Sequence, residues 1–158
     1  VNSLNRDDLD IPASWQQFTE QFINETPAIG MQLINDYNDT TRKTCIHIKT
    51  QYLEELSGDY NLVVYILESG IIQWQKDYEA SPSDVEDYEH NHVLRTSVTN
   101  TWGTQLSSGQ VAADSTIIKT YAETLETEWI PENCSVAAYV YETGTGEVLQ
   151  AVESHIID

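Results

Sequence analysis

The sequence predicts a mostly β fold: an antiparallel two-sheet β-sandwich of jelly-roll or Greek-key type, with one N-terminal helix. Short runs of alternating apolar and polar residues recur from residue 27 onward, and turn-forming residues separate them. About eight such strands are typical of a sandwich, and 158 residues can bury a core without cross-links. We therefore divide the chain into a linker and helix over residues 1–26 and a β-sandwich domain over residues 27–158.

The N-terminal helix is predicted around a capping box formed by Ser14 and Gln17, and Pro27 ends it. An apolar stripe at helical spacing comprises Trp15, Phe18, Phe22 and Ile23. Such a stripe must pack against something. The stripe could pack on the sheet of this domain, or it could be a remnant of the junction to a preceding domain. Self-assembly through the stripe is the third alternative.

The strand patterns are clearest in the middle and at the end of the chain. Thr44–Thr50 alternates as a half-buried strand does, and Leu62–Leu67 is apolar on both faces, as in a central strand. Ser135–Tyr141 and Glu147–Ile157 predict a closing hairpin. Residues 115–129 fit a helix or a strand, and their β-branched residues favour the strand.

Turns are predicted at Asn35–Asp39 and Gly58–Asp59. A further turn at Glu68–Gly70 predicts a tight hairpin into Ile71–Trp74. Residues 76–89 are predicted to be a long polar connection.

The charge of the chain excludes several partners. Asp and Glu number 26 against 7 Lys and Arg, which gives a formal net charge of -19. Such a field repels nucleic acid and anionic membranes, whereas proteins, neutral sugars and divalent cations remain. No run reaches the roughly 18 apolar residues of a membrane helix, so no transmembrane segment is predicted.

The two cysteines, Cys45 and Cys134, are too few for a disulfide scaffold and lack metal-site spacing. We expect two separate buried thiols, and a single Cys45–Cys134 disulfide is the alternative. Catalytic motifs such as Gly-x-Ser-x-Gly and His-Glu-x-x-His are missing from the sequence. The chain is therefore predicted to be a binding module and not an enzyme.

Calcium is the stronger of two metal hypotheses, because carboxylate and amide oxygens cluster in two predicted loops. The first candidate site comprises Asp36, Asn38 and Asp39, and the second comprises Asp84, Glu86 and Asp87. Neither has the EF-hand pattern, and solvated acidic loops are the alternative. On a continuous strand, His90 and His92 would share one face and could bind a metal ion, or pack beside their neighbours.

A tyrosine-lined face is predicted on the last hairpin. In Ser135–Tyr141 the even-numbered aliphatic residues suit the core, and Tyr139 and Tyr141 point the other way. With Tyr65 they would form an amphipathic surface suited to sugars or protein partners. The alternative is that a helix or loop covers this face.

Three segments of the chain carry a family resemblance. Tyr88–Ser97 contains His-Asn-His-Val-Leu-Arg and is followed by Trp102-Gly103. Together with Leu62–Gln73 and Trp129–Tyr141, this run resembles the 28-kDa outer-membrane-protein (Omp 28) family of Bacteroidetes-type bacteria. The resemblance spans roughly residues 27–157.

This resemblance implies a protein at the cell surface, associated with the outer membrane or secreted, of a kind described as adhesins or receptors. It transfers no catalytic residues. Longer members have a thioredoxin-like half, whose Cys-x-x-Cys this chain lacks, so no redox role is carried over. Asp39-Thr40-Thr41 and Asp114-Ser115-Thr116 are similar to O-glycosylation acceptors of such bacteria, which makes Thr40 and Ser115 candidate sites.

The predicted function is a surface binding or adhesion module for a protein or glycan partner. The candidate binding residues are Tyr65, Tyr139, Tyr141, His90, His92 and Arg95. One alternative is a carbohydrate-active domain, either a lectin or a glycoside hydrolase that uses two carboxylates. The other is a structural domain packed within a larger surface assembly.

Overall fold

The computed structural model describes residues 19, 20, 23, 25–79 and 81–157, and ten strands lie within these ranges. They are β1 (Ile29–Asn38), β2 (Lys43–Tyr52), β3 (Leu56–Glu68), β4 (Ile71–Lys76), β5 (Asp84–His90), β6 (Val93–Ser97), β7 (Thr104–Val111), β8 (Thr116–Thr124), β9 (Cys134–Glu142) and β10 (Val148–His155). A short 3-10 helix, Pro131–Asn133, precedes β9. The predicted N-terminal helix and its apolar stripe lie almost entirely outside the described residues.

The strands form two antiparallel sheets that enclose the core, and a small third sheet. The first sheet has the order β1-β2-β8. The second has the order β10-β9-β3-β6, and β7 also pairs with β3. Among the strands that the structure describes, β4 and β5 pair only with each other. The predicted antiparallel sandwich is confirmed. Within the described residues, no helix is long and apolar enough to cross a membrane.

The core follows the alternation of the two central strands. In β2 the even-numbered residues from Thr44 to Tyr52 are buried, while His47 and Lys49 are exposed. In β3, Leu62, Val64 and Ile66 are fully buried against the same cluster. One face of each sheet therefore supplies the core, as in other aligned sandwiches.

Strand β3 is the centre of the second sheet. On one edge it pairs with β9 from Tyr60 to Glu68. On the other edge β7 pairs with its first half and β6 with its second half. Between β6 and β7 the chain leaves the sheet as the loop Val98–Gly103, and this excursion builds one wall of the site described below.

Two predicted turns are wrong because strand pairing overrides local turn preference. Strand β1 continues through the Asn-Asp-Tyr run to Asn38 and pairs with β2 along its whole length. Gly58 and Asp59 lie inside β3, opposite Gly109 and Ser108 of β7. A glycine facing a glycine is compatible with a strand once a neighbouring strand supplies the hydrogen bonds.

The segment after β3 also differs from the prediction. Strand β4 does not fold back on β3, because both edges of β3 are occupied by other strands. It pairs with β5, which begins at Asp84 inside the predicted polar connection. The continuous strand that would place His90 and His92 on one face is broken at His92, whose φ of 54° ends the extended backbone. Residues 116–124 form a strand, as favoured.

Both cysteines are free thiols, so the structure has no Cys45–Cys134 disulfide. Cys45 occupies an odd-numbered position of β2, which faces away from the core, and it is half-buried. Cys134 begins β9 and is fully buried in the core. Cys45 therefore lies on the outer face of the first sheet and Cys134 lies inside the sandwich, so the two thiols are not positioned to form a bond.

Candidate functional site

The floor of the site is the outer face of the second sheet. Tyr139 and Tyr141 project from β9 on the side opposite its buried residues. Tyr65 projects from the neighbouring β3 on the same side. The ring centroid of Tyr139 lies 6.1 Å from that of Tyr65 and 6.1 Å from that of Tyr141. The prediction that these three tyrosines share one face is therefore confirmed in its geometry.

The loop Val98–Gly103 stands beside this floor as a wall. The loop begins where the amide of Val98 donates to Val64 and the hydroxyl of Thr99 accepts from the Val64 amide. These two bonds satisfy the edge of β3 at the gap between β6 and β7. Asn100 then closes a tight turn: its side chain accepts from the Trp102 amide, and its carbonyl accepts from the Gly103 amide.

The end of the wall is fixed by close packing of Gly103 on β3. A Cβ atom at this position would lie 2.5 Å from the carbonyl oxygen of Leu62 and 2.8 Å from a methyl carbon of Val63. The φ of Gly103 is +78°, which L-residues rarely adopt. Only glycine satisfies both conditions, so this residue holds the loop against the sheet.

Trp102 presents its indole from this wall. Its carbonyl oxygen accepts hydrogen bonds from the Asn61 side chain at 2.9 Å and from the Tyr141 hydroxyl at 2.8 Å. Its side chain is 76% exposed, although Trp is among the most apolar side chains. A fixed backbone with an exposed aromatic ring is a feature of binding residues more than of packing residues.

The opposite wall comes from the last hairpin, where a β-bulge changes the side-chain register. Val148 pairs with Tyr141, and Ala151 pairs with Tyr139, although three positions separate Val148 from Ala151. In a regular strand, residues three apart point to opposite faces. The bulge between Val148 and Gln150 therefore brings both side chains to the outer face.

Together these elements enclose an open groove of about 590 Å³. Its lining is aromatic, aliphatic or hydroxylated and consists of Tyr65, Thr101, Trp102, Tyr139, Tyr141, Gly146, Val148 and Ala151. No charged side chain is among these eight lining residues, which is unusual for a chain with a net charge of -19.

The hydroxyl of Tyr139, at the centre of the floor, is held in its neutral form. Partial burial, followed by its interaction with Tyr65, raises the pKa of Tyr139 to about 12. At physiological pH this phenol keeps its proton and can both donate and accept a hydrogen bond. The floor thus offers uncharged polar groups beside its apolar ring surfaces.

Charged residues lie next to the groove and not in it. Glu153 follows Ala151 on the same face of β10 and accepts a hydrogen bond of 2.6 Å from Ser135. His92 Nε2 lies 3.5 Å from the same carboxylate. Glu147 precedes Val148 at the other end of the strand. One carboxylate therefore lies beyond each end of the β10 wall, and the groove lining itself is uncharged.

The remaining predicted binding residues serve other contacts. His90 packs edge-on against Tyr88 in the third sheet, with ring centroids 4.9 Å apart. Because the backbone turns at His92, the two histidines do not share a strand face as predicted. Arg95 forms a 2.8 Å ion pair with Glu68, which is 3% exposed, and its guanidinium stacks on Trp129. None of these three residues lines the groove.

Five of the six predicted calcium ligands lie in strands, and Asp39 lies in the turn after β1. The side-chain oxygen of Asn38 accepts two hydrogen bonds from Thr41, and Asp84 forms an ion pair with Lys76. Asp36 belongs to β1, and Asp84, Glu86 and Asp87 belong to β5, where adjacent side chains point to opposite faces. In the described part of the chain, no group of three or more His, Cys, Asp or Glu residues could hold a metal ion. Calcium binding stays a prediction.

Both candidate glycosylation residues lie in turns. Thr40 is exposed in the turn between β1 and β2, together with Asp39. Ser115 is half-buried in the turn between β7 and β8. Thr40 is thus the more accessible of the two hydroxyls, and glycosylation at either stays a prediction.

The sequence predicts three of the eight lining residues and misses the other five, Thr101, Trp102, Gly146, Val148 and Ala151. Trp102 belongs to the family motif only, and the strand pattern places Val148 in a regular strand. The bulge that exposes Val148 leaves no clear pattern in the sequence. The Trp102-Gly103 pair does carry a signal, because a glycine after an aromatic loop residue indicates an unusual backbone.

These residues define a class of domain: a two-sheet antiparallel sandwich with an uncharged aromatic groove on its outer face. Residues 2–157 match the profile of the family described as outer membrane protein Omp28, and the chain belongs to this family. Membership confirms the predicted resemblance and the predicted association with the outer membrane or cell surface. No curated protein matches the chain.

Among solved structures, the chain is similar to a domain of the outer membrane lipoprotein Omp28 from Porphyromonas gingivalis. The two share 24% sequence identity with a TM-score of 0.58, over 84% of this chain and 90% of that chain. This similarity supports the fold. A FixG-related protein from Vibrio parahaemolyticus shares 12% identity with a TM-score of 0.43, over 82% of this chain and 94% of that chain. At that score the likeness carries no argument.

Proposed function

We propose that this chain is a non-catalytic binding domain at the outer membrane surface and that it holds its ligand in the aromatic groove. The observation that carries the proposal is the exposed Trp102 side chain, which lines the same groove as three tyrosines of the sheet. Family membership supports the location, and the groove supports the binding role.

The size and lining of the groove support this role. Ligand sites are mostly apolar concave surfaces of about 300 to 1,000 Å³ with a few polar groups, and this groove fits that description. The wall residues are also fixed before any ligand arrives, by the hydrogen bonds to Trp102 and the packing of Gly103. Preorganisation of this kind lowers the entropic cost of binding.

The chemistry of the lining supports a non-catalytic role. The only reactive groups among the eight lining side chains are tyrosine and threonine hydroxyls. General acid–base chemistry near neutral pH generally uses a carboxylate, imidazole or amine, and none of these lines the groove. A pair of carboxylates across the cleft, as a glycoside hydrolase needs, is likewise not among the lining residues.

The test is a binding panel read by NMR. Nitrogen-15-labelled protein is titrated with an apolar peptide, a lysine-rich peptide, neutral oligosaccharides and heparin-derived oligosaccharides. We expect at least one class to shift the Trp102 indole and the Tyr65 and Tyr139 amides. Substitution Tyr139→Ala should abolish these shifts, because it removes the central ring of the floor.

The matched control is Tyr88→Ala, which removes an exposed aromatic ring from the third sheet, away from the groove. This variant should bind as the wild type does. The proposal is wrong if no probe class shifts the groove signals, or if Tyr139→Ala binds as tightly as the wild type.

A further inference from the structure

We propose that the groove takes a neutral oligosaccharide, with sugar rings stacked on Tyr65, Tyr139 and Tyr141 beneath the indole of Trp102. This inference rests on the proposed binding function and specifies the chemical class of the ligand. It combines four observations: the ring spacing, the uncharged lining, the paired backbone of the floor and the hydroxyl groups at the wall.

The ring spacing suits a chain of sugars. Tyr139 lies between Tyr65 and Tyr141, with 6.1 Å between successive ring centroids. This distance is close to the length of one pyranose unit in a linear oligosaccharide. The apolar face of a pyranose, formed by its C–H bonds, packs on an aromatic ring and leaves the hydroxyls free to bond at the sides.

The charge distribution excludes anionic ligands. The chain has a net charge of -19, and Glu147 and Glu153 border the groove on β10 and its preceding turn. A sialylated, sulfated or uronic-acid glycan would approach against this field with no basic lining residue to compensate its charge. A neutral glycan meets no such penalty.

The lining also argues against a cation as the principal ligand. Aromatic rings do bind ammonium groups, but such sites are compact and gain strength when the charge is desolvated. The groove is open, has a volume of about 590 Å³ and contains no carboxylate among its lining residues. A buried cation would therefore lack an ionic partner there.

A polypeptide that binds by strand addition does not fit this floor. Strand addition requires an unpaired strand edge. The floor strands β3 and β9 are paired with neighbours on both edges, so their backbone groups are already hydrogen-bonded. Recognition at this face must come from side chains alone, which suits stacked rings.

Hydroxyl groups are placed to bond the sugar. Thr101 lines the groove from the wall, and its exposed hydroxyl makes no hydrogen bond to any part of the chain that the structure describes. The Tyr141 hydroxyl donates to the Trp102 carbonyl and accepts a long hydrogen bond of 3.5 Å from Asn61, which leaves one lone pair for a ligand. The Tyr139 hydroxyl is hydrogen-bonded to Tyr65, and its oxygen can still accept from a ligand. These groups are uncharged, as the hydroxyls of a neutral sugar are.

The experiment is a glycan array that carries neutral, sialylated, sulfated and uronic-acid oligosaccharides, followed by calorimetry on the strongest ligand. We expect signal on neutral structures of two or more units, with little on anionic ones. Tyr139→Ala and, separately, Trp102→Ala should each weaken binding at least tenfold, whereas Tyr88→Ala should leave it unchanged. Trp102 is exposed, so its substitution keeps the fold, and a thermal melt verifies this for both variants.

Two outcomes would overturn the inference in different ways. If no neutral glycan binds, or if anionic glycans bind instead, the ligand class is wrong. The proposed binding function then survives only if a peptide or cationic probe still shifts the groove signals in the NMR panel. If no glycan of the array and no probe of the NMR panel binds in the groove, both proposals fail.

Discussion

The hydroxyl of Tyr141 in β9 donates a hydrogen bond of 2.8 Å to the main-chain carbonyl oxygen of Trp102 in the loop after β6. Asn61 of β3 donates to the same oxygen. Two neighbouring strands of the floor thus hold one residue of the wall. The position of the indole depends on the floor, and substitutions in the floor should be detectable at the wall.

Removing the Tyr141 hydroxyl should increase the mobility of Trp102 while the Tyr141 ring still lines the groove. In Tyr141→Phe the ring remains, but the Trp102 carbonyl keeps only the Asn61 bond. We expect a stability loss of about 1 kcal/mol, the usual net worth of one hydrogen bond, and faster motion of the indole. Because the chain has four tryptophans, nitrogen-15 relaxation of the assigned Trp102 indole N–H measures the motion. Tyr65→Phe is the control, and equal relaxation in the two variants would refute the coupling.

Two glycines with the same backbone conformation should respond differently to alanine. Gly103 and Gly109 have φ of +78° and +74°, but only Gly103 packs against backbone atoms, whereas nothing lies within 4 Å of a Cβ at Gly109. Gly109→Ala should cost about 1 to 2 kcal/mol from its positive φ alone. Gly103→Ala should cost about 1 to 3 kcal/mol more, because its methyl group must displace β3. Urea unfolding of both variants gives the difference, and equal losses would disprove the close approach.

The ion pair between Arg95 and Glu68 should matter more for folding than for binding. Glu68 is buried, and its other oxygen accepts a hydrogen bond from the Ile130 amide. Arg95→Met would leave this carboxylate without its cation and should destabilise the fold by about 3 to 5 kcal/mol. The double variant Arg95→Met with Glu68→Gln should recover much of the loss. Urea denaturation measures the stability of each variant. A double variant that is no more stable than Arg95→Met would count against the role of the ion pair.

Reducing agents should not affect stability. A bond between Cys45 and Cys134 would close a long loop and stabilise the fold by about 4 to 5 kcal/mol. Because both thiols are free, the melting temperature should be the same with and without reductant. Alkylation after denaturation should label two thiols per chain by mass. A lower melting temperature in reductant would show that the two cysteines bond after all.

Stability should fall in mildly alkaline solution, in part because of Cys134. Burial raises the pKa of this thiol from 9.0 to about 11. The folded state holds the Cys134 proton more tightly than the unfolded state does. The contribution of this thiol to the free energy of unfolding is therefore complete below pH 9 and is lost as the pH rises towards 11. Cys134→Ala should flatten the decline of unfolding free energy between these values. Identical slopes for the variant and the wild type, by urea unfolding at each pH, would rule out this cause.

The sequence predicts strands best where one face is buried. Thr44, Ile46 and Ile48 alternate with polar residues, and β2 lies where that pattern places it. The failures occur where pairing decides the structure. Gly58 was assigned to a turn because glycine prefers turns, but Gly109 of a distant strand lies opposite it. Such long-range pairing has no local signal.

The floor of the candidate site could be predicted from the sequence, but its walls could not. The alternation in β9 placed Tyr139 and Tyr141 away from the core, and the structure confirms their position. The walls could not be predicted, because Trp102 depends on a loop geometry and Val148 on a bulge. His92 was misplaced for the same reason: its positive φ is a property of the backbone and not of the residue pattern.

The pairing of β3 with β9 also bears on the order in which the chain can fold. Val64 lies opposite Ala138, so the central strand meets its full-length neighbour only after most of the chain is available. During synthesis one edge of β3 stays open until β9 emerges. Assembly should therefore be slow and cooperative, since distant segments must meet before the core closes. Truncation before residue 134 should yield an aggregating chain and not a smaller domain.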